Sequence, residues 1–131
     1  MAFHDSAIIG YAETKIVEKG NQDVCVLGAE ILGSLIKSTG VEKGAIDGMI
    51  LSSAMSGAGS VFWSQLVADA LGLGLNFCQT VDIGGCSPLG ALARATMAID
   101  AGLCENVLCL YADTQSSADA RPPKPFRVEW T

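Results

Sequence analysis

The stretch VDIGGCSPLGALARATMAID, residues 81–100, decides the fold. It joins the end of an apolar run, Phe77 to Asp82, to a segment rich in small residues at helical spacing, Cys86 to Ala101, which Gly102 ends. The junction is two glycines and a cysteine, so the sequence predicts a strand, a tight turn and a helix with Cys86 at its start. Pro88 fits that reading, because the first helical turn has no intrahelical N–H bond for a proline to remove.

Working outward, the same alternation recurs. Ala7 to Ala12 reads as a strand; Val24, Leu27, Ile31 and Leu35 then recur at helical spacing until Gly40 supplies a stop. Met49-Ile50-Leu51 reads as a buried strand. After the loop Ser52 to Gly59, the residues Trp63, Leu66, Val67, Ala70 and Leu71 form one face of a second helix, which stops at Gly72. Val107 to Tyr111 gives the fourth strand. Strands that alternate with helices and are apolar on both faces predict an α/β fold of βαβαβαβ order, with a mostly parallel sheet and helices on both faces.

The 131 residues amount to about one domain. Half of them are hydrophobic, only 17% are charged, and the mean hydropathy is +0.38, so some apolar surface is expected to face another subunit or further chain. The net charge of −6 argues against nucleic-acid binding, which needs clustered Lys and Arg. From Ser116 the composition changes: the tail SSADARPPKPFRVEWT holds three of the four prolines, and three bases (Arg121, Lys124, Arg127) against two acids. Regular structure is expected to lapse there, and attraction for an anion to begin there. The expected organisation is an α/β domain over residues 1–115 and the start of a truncated loop segment over residues 116–131. No apolar run reaches the ~20 residues of a membrane span, and MAFHDSAIIG lacks the features of a signal peptide, so a reduced cytoplasmic protein with no membrane partner is expected.

Five cysteines, Cys25, Cys78, Cys86, Cys104 and Cys109, show no CxxC spacing; with His4 the single histidine, no metal site is expected. Cys25, Cys78, Cys104 and Cys109 fall within or beside helix and strand patterns and read as small buried hydrophobes. Cys86 differs by position. Ligands of a parallel α/β sheet gather at the carboxyl ends of the strands, and a helix N-terminus favours a thiolate and offers N–H groups to an oxyanion. Cys86 is therefore the candidate nucleophile, with an ordinary packed thiol as the alternative. Asp82 and Asp113, at strand ends, could act as acid/base groups or as caps and turn formers. The stretch MSGAGSVFW, residues 55–63, has neither GxGxxG nor GK[ST] and reads as a loop, not a phosphate cradle.

The element order, together with GAGSVFWSQLVADALGL and VDIGGCSPLGALARATMAIDAG, resembles the N-terminal half of the thiolase family, nearest its sterol-carrier-protein-type and archaeal thiolase-like branch. The resemblance covers residues 7 to about 115. It implies that Cys86 attacks an acyl-CoA thioester, holds the acyl group and passes it to a second acyl-CoA or to free CoA. The backbone N–H of Cys86 would then be one oxyanion donor. CoA and acyl-CoA enter as substrates, no covalent cofactor is implied, and the cofactor-binding residues stay unassigned. Family members are longer, and their second half supplies histidines and a second cysteine. This chain has His4 alone, and Pro88 stands where a small residue is expected. The resemblance further implies a homo-oligomer with Phe77 to Val81 at the contact, or a C-terminal half on the same or another chain. A ketoacyl-synthase-III-like condensing enzyme and a non-catalytic thiolase-like subunit are the alternatives.

Overall fold

The computed structural model describes residues 6–17, 22–54 and 61–114. His4, residues 55–60 of the glycine-containing loop and the tail from Ser116, with Arg121, Lys124 and Arg127, lie outside the described residues. The described elements are helix α1 (Val24–Thr39), a short 3-10 turn (Lys43–Ala45), strand β1 (Gly48–Ser52), helix α2 (Trp63–Ala70), strand β2 (Phe77–Val81), helix α3 (Ser87–Asp100) and strand β3 (Val107–Leu110). The three strands form one parallel sheet in the order β2-β1-β3.

β1 is buried along its whole length because it is paired on both edges and covered on both faces. Strand alternation divides its apolar side chains between the two sides. Met49 and Leu51 join Leu108 and Leu110 of β3 in a core with Val24 and Leu32 of α1 and Val67 and Ala68 of α2. Ile50 points to the other face, where Val81 packs with Ala91 and Ala95 of α3. The fold is thus a three-layer α/β arrangement, as the doubly apolar strands require.

The helix ends follow from the sequence. Asp23 caps α1 by accepting the Val26 N–H at 2.9 Å. Gly40, Gly72 and Gly102 each take a left-handed conformation just past a helix, with φ of 72°, 63° and 69°. At α2 and α3 the chain then closes with paired bonds, Leu73 N–H to Ala68 O at 3.0 Å and Leu103 N–H to Ala98 O at 2.9 Å, which satisfy carbonyls that the helix leaves open.

Two expectations are corrected. Ala7 to Ala12 forms no strand, and the described order begins at α1. A strand needs a partner edge, and this segment pairs with neither outer edge of the sheet, that of β2 or that of β3; Ile8, Ile9 and Tyr11 stand exposed, and Gly10 passes close against Leu35 and Thr39 of α1. The buried face of α2 is also rotated from the expected one. Ser64, Val67, Ala68 and Leu71 face inward, and Leu66 is 55% exposed, because small Ser64 and Ala68 allow the helix to approach the sheet closely.

At the amino edge of the sheet one carboxylate gathers the chain. Asp47 accepts the N–H of Asn106 at 2.8 Å and that of Glu105 at 2.9 and 3.0 Å, while its own carbonyl accepts the Asn76 N–H at 2.7 Å. The entries to all three strands are tied together there. The bond from the Asn106 backbone above all, then those from Glu105, Asp47 itself and Asn76, hold its carboxyl below the usual carboxylate range, against an opposing push from partial burial. A carboxylate with a depressed folded-state pKa contributes stability that is present above its unfolded value, about pH 3.9, and lost as pH falls through the folded value. Asp47→Ala should cost about 1–2 kcal/mol at neutral pH, and the difference between wild type and variant should shrink below about pH 4. Denaturant melts across pH 2.5 to 7 measure both.

Candidate functional site

The parallel register places Ser52 beside Val81 and Leu51 beside Leu110, so Ser53, Asp82 and Tyr111 follow the three strands at one edge. Because α3 runs back from β2, its N-terminus opens at that same carboxyl edge. Cys86 is the N-cap residue of α3, exposed, with no side-chain capping bond and with its carbonyl accepting the Gly90 N–H at 3.0 Å. Its thiol is therefore not consumed by the helix end. The first turn carries N–H groups that the helix itself does not use, Pro88 contributing none.

The turn that presents Cys86 has a definite construction. Gly84 has φ 62°, and a Cβ there would meet nothing within 4 Å, so the need for glycine is conformational and not steric. The Ser87 hydroxyl, 1% exposed, accepts the Ile83 N–H at 3.0 Å and donates to the Gly84 carbonyl at 2.7 Å; the Ser87 N–H donates to the same carbonyl at 3.0 Å. On the sheet side, Ser53 Oγ donates to Asp82 Oδ1 at 2.9 Å, and the Ser53 N–H donates to the Val81 carbonyl at 2.8 Å. Asp82 also accepts the Gly84 N–H at a long 3.5 Å. Asp82 thus ties strand ends and turn together, as a turn former does. Asp113 lies half-buried beyond β3 and hydrogen-bonds Tyr111, whose hydroxyl is pushed up first by burial and then by the Asp113 charge.

Ser53 and Ser87 were not singled out from the sequence. A serine after an N-cap cysteine carries no spacing signal; its burial is what gives it meaning. Gly90 lies in the small-residue run of α3, and a Cβ there would stand 2.7 Å from Ile83 Cδ1, so this glycine lets the turn lie down on the helix.

The other four cysteines sit in the packing. Cys104 is buried against Gly48, and its thiol is pushed up by burial and then by Asp47. Burial raises Cys109 to about 11, and burial followed by the Asp23 charge raises Cys25. Cys78 packs at the edge of the α1/α2 core. Among the described residues no group of three His, Cys, Asp or Glu side chains could hold a metal ion, and no helix is long and apolar enough to cross a membrane.

No protein-family model matches the chain, and no curated protein does. Twenty-five chains of solved structures match it. One is the Ltp2-ChsH2(DUF35) aldolase, with a TM-score of 0.62 and 24% identity, covering 79% of this chain. The likeness is one of fold. The chain spans 28% of the length of that aldolase chain.

Cys86 should be the first thiol alkylated in the folded chain, and Cys109 the last. Iodoacetamide at pH 7.5 with peptide mapping measures the order, and faster labelling of Cys25 or Cys104 would reverse the assignment. Gly84→Ala should cost about 1–2 kcal/mol of stability through backbone strain alone.

Proposed function

We propose that the chain is the nucleophile-bearing half of a thiolase-type acyltransferase that forms or cleaves a carbon–carbon bond through an acyl-cysteine. One observation carries the reading: an exposed cysteine caps a helix at the carboxyl edge of a parallel sheet, on a turn built to hold it there. The Cys86 thiolate attacks the carbonyl carbon of an acyl-CoA, CoA leaves as the thiolate, and the acyl group rests on sulfur as a thioester. The N–H of Cys86 is one donor to the oxyanion that forms on the way; of the residues that follow it, Ser87 donates to the Gly84 carbonyl and Pro88 has no N–H. In the synthetic direction the α-carbon of a second acyl-CoA, having lost a proton, takes the acyl group and frees the Cys86 thiolate. In the degradative direction the thiolate attacks the β-keto carbon of a 3-ketoacyl-CoA, the bond to its α-carbon breaks to release acetyl-CoA once that carbon is protonated, and the acyl group left on sulfur passes to free CoA. CoA is a substrate, and the reading asks for no bound cofactor or metal.

General acid/base groups come from outside the described residues, on further chain or on a partner. The thiolase-like domain then spans residues 1–115 and a loop segment begins at 116–131. The bare apolar side chains of α3, Leu89 at 70% and Met97 at 49% exposed, suit cover by such a second half. A cytoplasmic setting suits chemistry that needs a free thiol. A ketoacyl-synthase-III-like condensing enzyme would use the same cysteine.

A second reading is favoured by the name of the solved structure, which couples an aldolase to a DUF35 component. On that reading the chain belongs to a carbon–carbon lyase assembly, or is its non-catalytic subunit, and Cys86 forms no acyl intermediate.

Exchange of labelled CoA into acetyl-CoA, which needs the nucleophile but not the second acyl-CoA, separates the two. Exchange above background that Cys86→Ala abolishes supports the acyltransferase; equal exchange by both overturns it. Acetoacetyl-CoA cleavage by the chain alone should stay far below ordinary enzymatic rates, since general acid/base help is worth about 10²–10⁴-fold.

The same reading includes association through β2. It is an edge strand among the described residues, beside a groove of about 380 Å³ lined by Phe77, Gln79, Arg94, Met97 and Leu103. Light scattering coupled to gel filtration should report a dimer or larger, weakened by lysine at Gln79 and Thr80. A monomer at high micromolar concentration contradicts this.

A further inference from the structure

Three features of Ser87 stand out together. It is almost wholly buried at 1% exposure, its single hydroxyl both donates and accepts, and both of those bonds lie inside the turn that ends at Cys86. Helix formation does not ask for it, since alanine has the higher propensity and Cys86 occupies the N-cap position. Nor does the hydroxyl serve the core, where a serine without partners would be a cost. Its bonds restrain the segment that is least able to restrain itself: Gly84 and Gly85 give the backbone wide conformational freedom, and among the described residues the other side-chain bond to the turn is the long one that the Gly84 N–H donates to Asp82.

We propose that Ser87 is the positioning residue of Cys86, fixing through its hydroxyl the turn that sets the thiol at the mouth of α3. The proposal rests on the reading of Cys86 as the nucleophile. Removing the hydroxyl leaves the Ile83 N–H and one of the two bonds to the Gly84 carbonyl unmade, so the turn samples other conformations. The thiol then spends a smaller share of its time at the helix mouth. The rest of the molecule, anchored by the two cores and the Asp47 clasp, is not drawn into that motion.

The test is the iodoacetamide alkylation rate of each cysteine in the full chain, with Cys25 and Cys109 as internal references for general loosening. In S87A the Cys86 rate should fall about tenfold, the population effect of one uncompensated buried hydrogen bond, while the references hold; S87T, which keeps the hydroxyl, should restore it to within about twofold. A folded S87A that labels Cys86 at the wild-type rate overturns the positioning role and leaves the nucleophile standing. Should S87A not fold, S87T decides: a wild-type rate supports the role, and a tenfold loss with the hydroxyl present overturns it. A wild-type Cys86 no faster than Cys25 overturns the nucleophile reading, and the role of Ser87 with it.

Discussion

The pairing of β1 on both of its edges is the constraint on which the rest of the structure depends. A strand with a parallel neighbour on each side has no edge left for water, and five buried residues in succession, Gly48 to Ser52, leave it no face either. Each face must be covered, so helices are needed above and below. Parallel neighbours require crossovers, so every strand's carboxyl end lies at one edge, where the next helix begins. Cys86 stands at that edge for this reason. Its position follows from backbone pairing some distance away, not from any contact that the thiol makes.

Two clusters hold opposite ends of the sheet and do different work. At the amino edge, the single residue Asp47 draws the entries to the three strands together: it leads into β1, its carboxylate accepts from the residues before β3, and its carbonyl accepts from those entering β2. At the carboxyl edge the bonds among the described residues are more local: Ser53 to Asp82 across two strand ends, and Ser87 within the turn. The first arrangement is rigid by convergence. The second leaves Cys86 exposed among the described residues.

The elements that were legible in the sequence are those whose signal is local. Gly40, Gly72 and Gly102 mark helix ends because only glycine adopts the left-handed conformation cheaply, and each does so here. β1 was legible because Met49-Ile50-Leu51 is apolar without alternation, and the place of Cys86 at a helix start because two glycines precede a small-residue helix. Ala7 to Ala12 was misread for the opposite reason: a β-prone run becomes a strand only when a partner edge reaches it, and pairing is not written in the run itself. The face of α2 was misplaced because spacing admits Leu66 as readily as Ser64, and closeness of approach, a tertiary matter, selects the serine. Ser53, Asp47 and Ser87 gain their roles from partners or burial that no pattern along the chain encodes.

The central claim is that Cys86 is presented as an acyl acceptor. Mass mapping of the chain after incubation with acetyl-CoA and an acid quench tests it most directly. The account predicts a single acetyl group on the peptide that holds Cys86, labile to hydroxylamine as a thioester must be, and none in Cys86→Ala. Acetyl found on another cysteine, or no acetylation of Cys86 at any time point, would contradict it.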